Sequence, residues 1–67
     1  MKSLKARIEE CMRRHPHLSQ ADIARATGVT TPSVSGWLNG ETKSLKPEPA
    51  RKGAILFGCD QNWLSTG

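Results

Sequence analysis

The sequence predicts an all-α domain of five short helices. Apolar residues recur at spacings of three and four along most of the chain, as on one face of a helix. Residues typical of helix caps separate these segments, and no segment has a convincing strand pattern. With 67 residues, the chain is expected to form one small domain over residues 1–67, with a modest core.

The first helix is predicted from about Ser3 to Arg14. Its apolar face comprises Leu4, Ile8, Cys11 and Met12. The remaining positions form an expected solvated face of Lys2, Lys5, Arg7, Glu9, Glu10, Arg13 and Arg14. The helix should end at His15, because a residue that precedes proline avoids the helical region.

The second helix is predicted over about 19–27. Ser19 is suited to cap it, and Asp22, three residues later, can return a hydrogen bond to the cap or interact with the helix dipole. Gly28 follows the helix at the position where a left-handed cap is required.

The third helix is predicted over about 30–39. Thr30 is a plausible cap, and Pro32 falls in the first turn, where its missing N–H has no cost. Its apolar residues are Val34, Trp37 and Leu38.

The last third of the chain is predicted to contain a loop and two helices. Residues 41–49 are polar and contain proline, which indicates the longest loop of the domain. A fourth helix is expected over about 48–57, with Gly53 indicating either a close helix approach or simple tolerance. Asp60 can cap a final short helix that carries Trp63 and Leu64.

The charge balance favours a polyanionic partner. Ten Lys and Arg residues against six Asp and Glu residues give a net charge of +4 and a pI near 9.6. The N-terminal segment has no uninterrupted apolar run, which argues against a signal peptide or a membrane-spanning helix. These observations predict a cytoplasmic protein with no membrane partner.

The sequence contains no pattern typical of a catalytic or metal site. Cys11 and Cys59 lack the spacing of a metal motif and are expected to be small core residues. His15 and His17 flank a proline in a turn without a nucleophile pattern. We therefore expect no enzyme activity, cofactor, metal or small-molecule ligand.

The two helices around Gly28 suggest a use for the third helix. Helices joined by so few residues cross steeply, which lets the second one stand out from the body and enter a DNA major groove. Its predicted outward positions are the small, uncharged residues Thr31, Pro32, Ser33, Ser35 and Gly36. An ordinary solvent-facing helix would have the same pattern, so chemistry alone leaves both interpretations open.

The segment LSQADIARATGVTTPSVSGWLNG resembles the helix-turn-helix of the Cro/CI family of phage repressors. The matching residues are Leu18, Gln20, Asp22, Ala24, Gly28, Val29, Thr30, Val34, Ser35, Trp37 and Gly40. The later segment LFGCDQNWLSTG is similar to the closing segment of that family. The resemblance implies a compact lambda-repressor-like fold of five helices that binds operator DNA, usually as a symmetric dimer, and represses transcription.

The resemblance also implies roles for individual residues. Those facing base edges would be Thr31, Pro32, Ser33 and Gly36. Those contacting the DNA backbone would be Arg13, Gln20, Thr30, Ser35, Asn39, Lys43 and Lys46. A homodimer would form through Trp63 and Leu64, or through the loop over 41–49.

The recognition positions depart from the family pattern. They offer no Gln, Asn, Lys or Arg, so bidentate recognition of guanine or adenine from these positions is excluded. Specificity would depend on the hydroxyl groups of Thr31 and Ser33, on carbon contacts with thymine methyl groups, on water and on DNA shape. Leu38 stands where many relatives have Glu, and it would either extend the core or form an apolar spot for a partner.

The expected function is that of a short Cro-type repressor in the cytoplasm of a bacterial host, associated with the nucleoid. It would bind a pseudo-palindromic double-stranded operator as a dimer, with half-sites about 10 bp apart. One alternative is an antitoxin, or a DNA-binding domain cut from a longer repressor. Another is a helical adaptor for proteins that has lost DNA contact, which Gly36 without a side chain and an exposed Leu38 would favour.

Overall fold

The computed structural model describes residues 3–66, and within them it contains five helices and no strand. The helices are α1 (Leu4–Arg14), α2 (Gln20–Thr27), α3 (Thr31–Leu38), α4 (Pro47–Phe57) and α5 (Gln61–Thr66). The predicted all-α fold class is therefore confirmed. Lys2, expected on the polar face of the first helix, lies outside the described residues.

Side-chain caps explain where four of the helices begin. The cap oxygens belong to Ser3, Ser19, Thr30 and Asp60. At α2 the cap is reciprocal, since Ser19 Oγ accepts from the amide of Asp22 at 3.1 Å while Asp22 Oδ2 accepts from the amide of Ser19 at 3.0 Å. Each bond satisfies an amide that has no partner within its helix. The predicted capping pattern is thus the physical cause of the helix starts.

The core lies between all five helices. Its most deeply buried side chains are Leu4, Ile8, Ile23, Thr27, Val34 and Leu64. Helix α3 packs against α1 and α2, while α4 packs against α2 and α5. Val34 and Trp37 fix α3 from its inner side, so the opposite side of its first turn is exposed.

Gly53 marks a close approach between helices. A Cβ atom at this position would lie 2.9 Å from Leu64 Cδ2 and 3.6 Å from Thr27 Cγ2. The first distance is too short for a real contact, so a larger residue would have to displace the buried Leu64 side chain. Of the two predicted explanations for this glycine, the structure supports the close approach.

Arg7 corrects the prediction that the charged residues of α1 are solvated. Only 2% of its surface is exposed, and its Nη2 donates to the carbonyl groups of Leu64 at 3.3 Å and Ser65 at 3.4 Å. These carbonyls belong to the end of α5, where a cation interacts favourably with the helix dipole and with unpaired acceptors. Arg7 therefore connects α1 to the last helix.

Leu64 corrects part of the predicted dimer contact. Its side chain has no exposed surface because it fills the core between α4 and α5. A residue that is already covered within its own chain cannot pack against a second copy. Trp63, its neighbour, is only partly covered and remains available for such a contact.

Both cysteines are free thiols, and only Cys11 belongs to the buried core as expected. Cys11 is buried, and Cys59 is partly covered. Burial raises the pKa of the Cys11 thiol to about 12, and the neighbouring Cys59 contributes in the same direction. A thiol with this pKa is protonated at neutral pH and reacts poorly with oxidants and alkylating reagents.

The loop between α3 and α4, residues 39–46, is anchored to the end of α5. The Leu45 amide donates to the carbonyl of Ser65 at 3.2 Å, and Ser65 Oγ donates to the carbonyl of Leu45 at 2.9 Å. The side chain of Leu45 is buried in the core, with 6% of its surface exposed. These contacts hold the loop in one position beside α3.

Candidate nucleic-acid interface

The turn between α2 and α3 depends on a left-handed glycine. Gly28 has a φ of +77°, and its amide donates to the carbonyl of Ala24 at 2.9 Å. The amide of Val29 donates to the same carbonyl at 3.0 Å. This pair of bonds ends α2 and turns the chain within three residues, as a left-handed cap requires.

The first turn of α3 presents small polar groups to solvent. Thr31, Pro32 and Ser33 are all exposed, as the sequence predicted. The hydroxyl oxygens of Thr30 and Ser33 lie 3.0 Å apart and share one hydrogen bond. Because the pair holds two hydroxyl protons and this bond uses one, the other proton can be donated to an external acceptor.

Gly36 corrects the predicted recognition face. It is buried, although the sequence placed it on the outward side of α3. A Cβ atom at Gly36 would lie 3.3 Å from Glu41 Oε2 and 3.8 Å from Thr42 Oγ1. The side chains that follow α3 therefore cover this part of the helix, so Gly36 is no longer assigned a base contact.

The backbone at the end of α3 explains why Glu41 lies over Gly36. Gly40 adopts a φ of +80°, and its amide donates to the carbonyl of Trp37 at 3.4 Å. The amide of Glu41 then donates to the carbonyl of Gly36 at 3.0 Å. This is the bonding pattern of a glycine-terminated helix, and it returns the chain across the last turn.

A groove of about 460 Å³ separates α3 from the loop over 39–46. Its walls include Pro32, Ser33, Gly36, Glu41, Thr42 and Lys46. We call it the α3–loop groove. The groove places the exposed first turn of α3 beside both an acidic and a basic side chain.

Gln20 and Ser35 connect α2 with α3 beside this surface. Ser35 Oγ donates to Gln20 Oε1 at 2.7 Å, and both residues are partly buried. The bond occupies the carbonyl end of the Gln20 amide and directs it towards α3. The amide nitrogen of Gln20, which carries two donors, is not used in this bond.

The cationic candidates lie outside α3. Lys43 and Lys46 are exposed in the loop, and Arg13 is exposed near the end of α1. Asn39 is also exposed, and its amide donates to the carbonyl of Ser35 at 2.9 Å. The helix itself contains no charged residue, so any attraction of an anion to its face comes from these neighbours.

Sequence reasoning missed Glu41 as a member of this surface. It identified only the lysines as the charges of the loop, since nothing in the composition shows that the carboxylate folds back over α3. The signal was present in the glycine before it: a left-handed cap at Gly40 reverses the chain and returns the next side chain to the helix.

Neither a cluster of metal-ligating side chains nor a membrane-spanning helix is found among the described residues. No group of three or more His, Cys, Asp or Glu side chains within residues 3–66 is placed to hold a metal ion. The longest helices in the same range have 11 residues, and none of the five is long and apolar enough to cross a bilayer.

The steep turn at Gly28, the capped helices on both sides of it and the exposed start of α3 together define a helix-turn-helix domain. The family model for helix-turn-helix proteins matches residues 8–64, so the chain belongs to this family of DNA-binding regulators. The resemblance to Cro/CI-type repressors is confirmed.

One solved structure with the same fold is the P22 c2 repressor protein in complex with synthetic operator 9T in the presence of Tl+. The two structures align with a TM-score of 0.81 at 21% identity, over 100% of this chain and 98% of that chain. Identity at this level shows a shared fold. A comparison with curated protein sequences gave no match.

Proposed function

We propose that this protein is a sequence-specific transcriptional regulator of the Cro type, which represses a phage promoter by binding a pseudo-palindromic operator as a homodimer. The observation that carries the proposal is the surface of α3, whose exposed first turn has no charge and lines the α3–loop groove together with the exposed Lys46. Small residues allow close approach to base edges, while the surrounding cations neutralise phosphates.

The proposed base contacts come from Thr31, Pro32 and Ser33. The spare hydroxyl proton of the Thr30 and Ser33 pair goes either from Ser33 to a base edge or from Thr30 to a phosphate, and the hydroxyl of Thr31 supplies a separate donor to a base edge. The ring carbons of Pro32 fit against a thymine methyl group. Shape and deformability of the operator contribute the remaining specificity.

The proposed phosphate contacts surround α3. The unused amide nitrogen of Gln20 donates to a phosphate at the start of α2, and Ser35 orients this amide. Because the hydroxyl proton of Ser35 is already donated to Gln20, we assign Ser35 this indirect role. The remaining proposed contacts are Arg13, Thr30, Asn39, Lys43 and Lys46.

The homodimer is proposed because one domain of this size makes few DNA contacts. Half-sites about 10 bp apart place two copies on one face of the duplex. Trp63 on α5 is partly covered, and Ile55 on the adjoining helix α4 has 74% of its surface exposed. These two residues form the proposed contact, with the loop over 41–49 as the other candidate.

Both features that favoured the adaptor alternative are less open than the sequence suggested. Gly36 is covered by Glu41, and Leu38 is partly buried against the core. An antitoxin or a DNA-binding domain from a longer repressor remains compatible with the same surface. A toxin gene beside this one would favour the antitoxin, and a longer native chain would favour the repressor fragment.

Selection from a randomised duplex library tests the proposal. The protein is incubated at near-physiological salt with competitor DNA, and the retained fraction is sequenced. We expect enrichment of a near-palindrome with half-sites about 10 bp apart. Folded protein that enriches no sequence, or whose affinity for DNA does not fall as salt rises, would contradict the proposal, since phosphate binding releases counterions.

A cellular test addresses repression. A reporter promoter that carries the selected operator is expected to lose activity when the protein is expressed in a bacterial cytoplasm, where the protein is expected on the nucleoid. Activation of the reporter would overturn the repressor assignment and leave DNA recognition intact.

A further inference from the structure

The covered position on α3 leads to an inference that rests on the proposed function. At Gly36 the helix has no side chain, and the carboxylate of Glu41 occupies the adjoining space instead. Glu41 is exposed towards solvent, so it covers Gly36 without being buried itself. The carboxylate therefore lies on the same surface as the proposed base contacts.

We propose that Glu41 is a specificity-determining residue that accepts a hydrogen bond from a cytosine amino group in the major groove. It lines the α3–loop groove together with Pro32 and Ser33. Two backbone bonds, one of them from the Glu41 amide to the carbonyl of Gly36, fix where its side chain starts. The loop thereby supplies the strong acceptor that α3 lacks.

The chemistry of base edges selects cytosine. A carboxylate is only an acceptor, and cytosine presents the N4 amino donor to the major groove. Guanine presents only acceptors on that side, and thymine presents an acceptor and a methyl group. Adenine has an amino donor, but its N7 acceptor lies beside it and repels a carboxylate.

The absence of an ion pair at Glu41 supports this role. Among the described residues, Glu48 pairs with Arg51 and Lys52, and Asp22 pairs with Arg25. No comparable bridge involves Glu41, although Lys43 and Lys46 lie in the same loop. An unpaired carboxylate beside phosphates weakens DNA binding unless it gains a hydrogen bond in the complex.

Glu41→Gln provides a test, because a base contact and simple repulsion of phosphates predict opposite changes in the affinity for the selected operator. The amide keeps the shape of the side chain, removes its charge and replaces one acceptor oxygen by an amino donor, so it accepts a hydrogen bond from cytosine more weakly and suits adenine better. If Glu41 reads cytosine, the variant loses about tenfold in affinity for the selected operator but gains affinity for random duplex DNA. If Glu41 only repels phosphates, both affinities rise together, which would overturn the inference.

Glu9→Gln is the matched control, since Glu9 is exposed on α1 and the change removes the same charge. It is expected to shift both affinities alike. Gly36→Ala is a second variant, because a Cβ 3.3 Å from Glu41 Oε2 displaces the carboxylate without removing it. It should weaken the same cytosine preference in a repeated selection.

The remaining outcomes separate this inference from the proposed function. Wild-type protein that enriches an operator, with unchanged base preferences in Glu41→Gln, would overturn the role of Glu41 and leave the proposed function standing. Wild-type protein that enriches nothing would overturn both. Thermal unfolding of each variant shows whether a loss of binding reflects a loss of folding.

Discussion

Helix α3 and the loop that follows it have the same length but opposite compositions. The eight residues of α3 include no charge, and its exposed groups are hydroxyls and a proline ring. The eight residues over 39–46 include Glu41, Lys43 and Lys46. In the candidate interface, α3 therefore supplies shape and small polar groups, and the loop supplies the charged side chains.

The loop is attached to the core and to α5 through Leu45. Leu45 is inserted into the core, and two hydrogen bonds join its backbone to Ser65. A free loop would lose conformational entropy on binding, which would reduce the affinity.

Leu45→Ala should release the loop over 39–46 from the core, so that it no longer holds its charged side chains beside α3. Removing a buried leucine side chain costs about 2–5 kcal/mol of unfolding free energy, because it leaves a cavity and loses apolar burial. Urea unfolding measures this change. Lys5→Ala is the control at an exposed position of α1 that no proposed contact uses, and it should change the stability little; equal effects of the two substitutions would contradict the anchoring role.

Thr31→Ala should show that α3 contributes to sequence preference and not to general affinity for DNA. Loss of its hydroxyl should change the preference at one base pair by about 1–3 kcal/mol and leave binding to random DNA nearly unchanged. Competition binding with single-base operator variants measures the effect. Equal losses on operator and random DNA would remove Thr31 from the base contacts.

Lys43→Ala and Lys46→Ala should show the opposite behaviour. Each is expected to weaken binding to all sequences alike and to reduce the salt dependence of log K by about one unit per lost phosphate contact. Titrations at several salt concentrations measure the slope. Lys5→Ala, on the exposed side of α1, is the control with the same charge change. A changed base preference in Lys43→Ala or Lys46→Ala would contradict the assignment of these lysines to phosphate contacts.

Ser35→Ala should have a smaller effect through Gln20. The variant frees the Gln20 amide to rotate, and a lost hydrogen bond of this kind contributes about 0.5–1.5 kcal/mol. A double-mutant cycle with Gln20→Ala on DNA affinity measures the coupling. Strictly additive effects would mean that Ser35 does not orient Gln20.

Asp22→Asn should lower the stability above about pH 3.8 and should make the stability fall less steeply at acid pH. Hydrogen bonds from Ser19, with a further contribution from Arg25, hold the pKa of Asp22 below its ordinary value of 3.8. The resulting stabilisation is present above that pH and is lost as the pH falls through the lower pKa of the folded state. The wild-type protein should therefore lose more stability below pH 3.8 than the variant, and parallel curves would exclude this contribution.

Local signals were enough to predict the helices. The capping pair of Ser19 and Asp22 and the left-handed Gly28 act within a few residues, so their roles could be read from spacing. Arg7 could not be assigned this way, since its acceptors lie 57 and 58 residues away in sequence. Composition predicts an exposed arginine, whereas the tertiary fold buries it.

The candidate site was predictable where its residues depend on local signals, and only there. The exposure of Thr31, Pro32 and Ser33 follows from helical periodicity once Val34 and Trp37 face the core. The cover over Gly36 depends on how the chain returns after Gly40, which helical periodicity does not describe. Site residues on the helix were therefore placed more reliably than those supplied by the loop.

The contacts at the end of α5 also set the order in which the protein can become functional during its synthesis. A helix of six residues is too short to persist alone, so α5 forms only when Arg7 and Leu45 engage Ser65. On the ribosome, the loop beside the recognition helix consequently reaches its final position only after residue 65 has left the exit tunnel. Until then, a nascent chain that already holds α2 and α3 has no fixed loop beside α3.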